Sequence, residues 1–104
     1  MQLRITGLRG QLAERVREFA RRRVAYSLGR FESSIARVNI RFGDGGQSTD
    51  GLDYWCHMEA QLRPSGIVIA EVRDLELESA ITRAAERLSR SIREVLERGR
   101  IQET

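Results

Sequence analysis

Ala36-Arg37-Val38-Asn39-Ile40-Arg41-Phe42 decides the fold of this chain. The apolar members Ala36, Val38, Ile40 and Phe42 alternate strictly with Arg37, Asn39 and Arg41. Successive side chains of a β-strand point to opposite faces, so this pattern predicts a strand with one dry side and one wet side. Such a strand needs partners of the same kind, and the flanking sequence supplies them. Upstream, Gln2–Thr6 (Gln-Leu-Arg-Ile-Thr) alternates in the same way. Downstream, 52–63 places Tyr54, Cys56, Met58, Ala60 and Leu62 on one face, and Ile67–Val72 follows the turn tripeptide Pro64-Ser65-Gly66. The glycine-rich stretch 43–51 reads as the loop between the second and third strands.

Between and after these strands the period changes from two to about 3.6. From Gln11 to about Leu28 the apolar residues Leu12, Val16, Phe19, Ala20 and Val24 form a helical stripe, and Gly29 is a stop signal. A long last helix follows Asp74, read as its N-cap, with Leu77, Ile81, Ala84, Leu88, Ile92 and Val95 as the buried stripe. The order is β-α-β-β-β-α. The predicted class is α+β, a four-stranded sheet with two helices packed on one face, because that is the simplest packing that buries both stripes. It resembles a double-stranded-RNA-binding-type sandwich with an added first strand. A length of 104 residues with 40% hydrophobic and 32% charged side chains suits one soluble domain, residues 1–104, with a single core.

Charge is segregated along this frame. All eighteen basic residues are arginine. Residues 1–41 hold ten of them against three acids, 42–78 hold two against eight, and the remainder hold six against four. Codon bias accounts for the missing lysine but not for the clustering. A small domain with one basic region and one acidic region takes a preferred orientation toward a polyanion, and guanidinium forks fit phosphate oxygens bidentately.

Chemistry of other kinds has little support. One cysteine, Cys56, excludes an internal disulfide and any multi-thiolate metal site, so neither a metal nor another cofactor is expected. Cys56 and His57 are adjacent on a strand and therefore point to opposite faces, which prevents them from acting as a nucleophile–base pair. With a single histidine and no clustered carboxylates the chain is not expected to be an enzyme or to hold a small-molecule substrate. Gly43-Asp44-Gly45-Gly46 superficially matches the Gly-x-x-Gly loop of a KH domain, but that loop joins two helices whereas this one joins two strands. Met1 is followed by Gln2-Leu3-Arg4 with no apolar leader and no run near spanning length, so a cytoplasmic protein without a membrane partner is expected.

The arginines fall in two clusters. At about 100° per residue Arg83, Arg87 and Arg90 share a narrow sector of the last helix, partly neutralised by Glu94. Arg21-Arg22-Arg23 and Arg30 end the first helix, and of these Arg23 and Arg30 sit at the edge of the apolar stripe, where they would border a groove shared with Arg87 and Arg90. The competing reading is structural: solvated faces with i,i+4 pairs such as Glu86–Arg90 and Glu94–Arg98, and basic residues favoured by the helix dipole. A third candidate lies on the sheet. If the helices cover one side, Trp55 is exposed on the other beside Arg37 and Arg41. There it either stacks an unpaired base, forms a self-association patch on the open sheet face, or is incidentally exposed.

The segment Ala80-Ile81-Thr82-Arg83-Ala84-Ala85-Glu86-Arg87-Leu88-Ser89-Arg90-Ser91-Ile92 resembles the last helix of ribosome hibernation-promoting factors, the family also called ribosome-associated inhibitors or sigma-54 modulation proteins. Val16-Arg17-Glu18-Phe19-Ala20-(x)₃-Val24, then Gly29-Arg30-Phe31, the Val38–Phe42 strand and Cys56-His57-Met58-Glu59-Ala60 are similar to it as well. The resemblance spans nearly the whole chain and implies a short-form member without the C-terminal domain by which long forms pair ribosomes. It implies binding to 16S-type rRNA of the small ribosomal subunit in the mRNA and tRNA channel, blocked initiation, and preservation of idle ribosomes in stationary phase or stress. The basic family positions map onto Arg23, Arg87 and Arg90, with Arg30 a looser match; Glu94 and Tyr26 stand where the family commonly has basic residues. Two other readings stay open on the residues alone: a module docking an acidic protein such as a transcription factor, and a generic duplex-RNA binder.

Overall fold

Each alternating run becomes a strand, and the two helical stripes close over one side of the sheet they form. In the computed structural model, which describes residues 1–7, 11–44 and 54–103, the elements are β1 (Gln2–Thr6), α1 (Gln11–Leu28), a 3₁₀ helix (Gly29–Ser34), β2 (Ile35–Asp44), β3 (Tyr54–Leu62), β4 (Ile67–Asp74) and α2 (Leu77–Glu103). The order β-α-β-β-β-α and the α+β class agree with the sequence reading. Most of the predicted 43–51 loop lies outside the described residues; its first two positions extend β2.

The sheet runs β1-β2-β3-β4, with β1 parallel to β2 and the other pairs antiparallel. Register places the apolar residues in rows: Leu3, Val38, Ala60 and Val68; Ile5, Ile40, Met58 and Ala70; Phe42, Cys56 and Val72. From α1, Val16, Ala20, Val24 and Leu28 join this core, and from α2 come Ala80, Ile81, Ala84, Ala85, Leu88 and Ile92. The alanines let the helices approach each other and the sheet closely. The opposite face carries the other parity, including Arg4, Arg37, Arg41, Trp55, His57, Glu59, Glu71 and Arg73, with no helix over it.

Four local expectations change. Ile35 is buried opposite Leu62 although its parity is opposite to that of Val38 and Ile40, because the register shifts between Ile35 and Arg37. One extra residue on a bulged strand flips the side chains that precede it, so Ala36 leaves the core row and Ile35 enters. Gly29 ends α1 without a left-handed cap, since the chain continues directly into the 3₁₀ helix; among the described residues Gly66, at φ +113°, has the positive φ. There the turn closes with Leu62 N–H donating to Gly66 O at 2.8 Å, and an L side chain would be strained. Asp74 belongs to β4 and precedes α2 by more than a cap position: its Oδ1 accepts from Glu76 N–H at 3.2 Å, and α2 begins at Leu77. Val95, predicted buried, is 41% exposed, and Leu96 packs on the core instead. Here α2 passes the end of β3 and the turn after it, where Val95 and Leu96 border the same cavity as Leu62, Arg63 and Pro64.

Among the described residues no helix is long and apolar enough to cross a membrane, and no three potential metal-ligating side chains come together.

Candidate nucleic-acid interface

The C-terminal half of α1 lies along the middle of α2, and their contact is made by the apolar stripes below. Residues one helical step off those stripes form the rims of a groove. Tyr26, Ser27, Arg30 and Phe31 line it from the first rim, and Glu86, Ser89, Arg90 and Arg93 from the second. Arg23 reaches across it, with its Nη2 3.8 Å from Glu86 Oε1 and its guanidinium carbon 5.4 Å from the centroid of the Tyr26 ring. Its Nε is buried without a hydrogen-bond partner. The Arg30 guanidinium carbon stands 5.7 Å from the centroid of Phe31. Glu86, the one carboxylate lining the groove, is met by Arg23, while Arg30, Arg90 and Arg93 line the groove and are all exposed.

The five arginines predicted to bind RNA are not gathered in one place. Arg23, Arg30 and Arg90 meet at the groove. Arg83 and Arg87 turn to the other flank of α2, over β4. Arg83 Nη1 donates to Asp74 Oδ2 at 2.9 Å, and Arg87 Nη1 donates to the Glu71 carbonyl at 3.2 Å. The Arg83 guanidinium, helped by the Glu76 N–H, holds the Asp74 carboxyl below the usual carboxylate range. Arg87 covers an outward carbonyl of the edge strand β4, a contact that blunts an otherwise open sheet edge. Arg93 was missed in the sequence reading; the signal available was its place one turn after Arg90.

The rest of the Arg21-Arg22-Arg23 run is set against an acid of its own helix, whereas of the i,i+4 pairs expected on α2 Glu86 is met by Arg23 instead of Arg90. Arg21 and Arg22 both donate to Glu18, at 2.8 and 3.2 Å, and hold its carboxyl below the usual range. Arg17 pairs likewise with Glu14 at 3.2 Å. These exposed pairs set Arg17, Arg21 and Arg22 against acids of their own helix, whereas Arg23 turns to Glu86 of α2.

The open face is arranged differently. Trp55 lies across from Gly43, where an added Cβ would meet the indole at 3.1 Å, so the glycine makes room for the ring. Arg41, Asp44, Glu71 and Arg73 surround it. Arg37 is not part of this cluster: it pairs with Gln61 in register, at the far end of β2, and its Nη2 donates to Gln2 Oε1 at 3.5 Å. On the same strand His57 Nδ1 stands 3.6 Å from Glu71 Oε1 on the open side, whereas Cys56 is buried on the core side. Burial, with a smaller contribution from the Glu71 charge, pushes the Cys56 thiol up to about 12. A thiol so protonated is a poor nucleophile at neutral pH.

The geometry of the groove suits polyanions, since several planar guanidiniums on two rigid helices can each take a phosphate. Similar architectures are found in solved structures. The Thermus thermophilus Protein Y N-terminal domain superposes with a TM-score of 0.72 at 20% identity, over 91% of this chain and 99% of that one. A ribosomal subunit interface protein from Coxiella burnetii gives 0.75 at 13% identity, over 93% and 99%. At these identities the likeness establishes the fold. No curated protein sequence matches the chain. A family model does, over residues 3–100, and with nearly the full length accounted for, the chain belongs to the Sigma 54 modulation protein / S30EA ribosomal protein family.

Proposed function

We propose that this protein binds the small ribosomal subunit, contacts its 16S-type rRNA through the α1–α2 groove, and inactivates the ribosome by occupying the mRNA and tRNA channel. The observation that carries this reading is the convergence of Arg23 from α1, Arg30 from the 3₁₀ helix, and Arg90 and Arg93 from α2 onto one groove lined by a single carboxylate. Family membership and the likeness to a ribosomal subunit interface protein point the same way. The protein acts by occupancy, not catalysis, and it works in the cytoplasm, where idle ribosomes of stationary or stressed cells are its partners. Arg83 and Arg87 contribute at the margin, because each already spends a donor inside the fold.

Co-sedimentation of the purified protein with small subunits across a salt series tests this reading. The wild type is expected to bind saturably, and the folded Arg30→Glu/Arg90→Glu variant to lose binding. Each phosphate contact removed flattens the salt dependence by about 0.7–0.9 in log–log slope. A folded wild type that fails to bind subunits at low salt would refute the proposal and return attention to acidic protein partners. Equal competition by naked duplex RNA and by subunits would reduce the function to generic duplex binding.

A further inference from the structure

Tyr26 is the most exposed of the large apolar or aromatic side chains among the described residues, and its surroundings suit a task other than phosphate binding. Its side chain is 80% exposed, ahead of Leu75 at 62%, although it stands on a helix with a buried stripe available close by. It lies in the same groove as Arg30 and Arg90, with Ser27 and Ser89 alongside. Arg23, three residues earlier and hence on the same helix face, holds its guanidinium over the ring at 5.4 Å from the centroid. The ring is therefore met by a cation and is otherwise largely exposed at the rim of the groove.

An exposed aromatic ring amid guanidiniums matches the chemistry of an unpaired nucleotide. The base stacks on the ring while its phosphate meets the arginines, and such stacking accepts any base because each has a π-face. A duplex cannot use the platform, since its bases are already stacked. We propose that Tyr26 is a stacking platform for an unpaired nucleobase, so that the groove grips a flipped-out or single-stranded nucleotide by base and backbone together. This inference rests on the nucleic-acid reading of the groove.

The test follows binding of small ribosomal subunits by wild type and by Tyr26→Phe, Tyr26→Leu and Tyr26→Ala across a salt series, with folding checked by circular dichroism. Competitors are an RNA hairpin with an unpaired loop and a blunt duplex of the same length. Tyr26→Phe is expected to keep wild-type affinity. Tyr26→Leu and Tyr26→Ala should each lose about tenfold or more, in line with the stacking contribution of about 1–3 kcal/mol per base. Their salt slope should stay at the wild-type value, because stacking releases no counterions. The hairpin should compete better than the duplex against wild type, and Tyr26→Ala should erase that preference.

Three results would overturn the inference while leaving the groove reading intact. In the first, Tyr26→Ala binds like wild type while Arg30→Glu/Arg90→Glu does not. In the second, the Ala and Leu variants lose affinity with a flattened slope, which would mean that Tyr26 only positions Arg23. In the third, Tyr26→Phe loses as much as Tyr26→Ala, which would make the hydroxyl the contact. Failure of wild type to bind subunits at all would remove both readings together.

Discussion

The helix groove and the open sheet face carry the same number of arginines and differ in what stands between them. In the groove, Arg23, Arg30, Arg90 and Arg93 stand with one lining acid, Glu86, and it is Arg23 that approaches it. On the sheet, Arg4, Arg37, Arg41 and Arg73 are interleaved with Glu59 and Glu71, with Asp44 at the margin. One row reads Arg41, His57, Glu71 straight across three strands. Cross-strand neighbours of opposite charge satisfy one another, and the field they leave at a distance is small. A guanidinium count therefore says little about affinity for a polyanion; the acids within reach of each guanidinium decide it.

The comparison breaks most completely if the helices leave the sheet. Leu88 is fully buried beneath the groove, and Leu88→Ala is expected to cost about 2–5 kcal/mol of unfolding free energy. Denaturant titration checks this, and a cost under about 0.5 kcal/mol, typical of surface positions, would show that α2 is not seated as described.

A chemical probe sharpens the contrast between the two sides of β3. With its thiol pushed up to about 12, Cys56 should react with a thiol reagent at neutral pH far more slowly than in the urea-unfolded chain. Linkage fixes the sign at high pH. Folding raises this pKa from an ordinary 9.0, so the associated stability is complete below pH 9 and is lost as pH rises toward 12. That part of the alkaline limb should be absent in Cys56→Ala. Rapid labelling of the native protein would contradict the burial.

The smallest effect belongs to the β4 flank of α2. Folding lowers the Asp74 carboxyl pKa, chiefly through Arg83, so its contribution is present above the ordinary carboxylate range and is lost as pH falls through the depressed value. Arg83→Ala should weaken the molecule slightly at neutral pH and reduce the acid dependence of its melting temperature. Because the pair is solvent-exposed, the change should be small.

Much of this architecture was legible in the alternation of Ala36–Phe42 and in the two helical stripes, because period alone separates strand from helix. What was not legible depended on neighbours. Ile35 enters the core through a bulge, and a bulge exists only in the pairing of β2 with β3. Val95 and Leu96 differ by one position on α2, and the packing at the end of β3 takes the second and leaves the first exposed. The candidate site shows the same limit. Periodicity put Arg83, Arg87 and Arg90 in one sector, yet β4 claims the first two and α1 faces the third. Arg93 escaped notice because a helical wheel has no marker for the direction of the other helix. Trp55 and Arg41 share a pocket on the open face, but Trp55, expected to be exposed, is half-buried there, and Arg37 shares their face but not their neighbourhood.

The central claim is that the groove, not the sheet, meets the ribosome. The most direct measurement is small-subunit co-sedimentation of two charge-reversal variants side by side, Arg30→Glu/Arg90→Glu in the groove and Arg37→Glu/Arg41→Glu on the sheet, with both confirmed folded. The account predicts that the groove variant loses binding at every salt concentration while the sheet variant keeps the wild-type affinity and salt slope. Loss of binding by the sheet variant with the groove variant unaffected would contradict it.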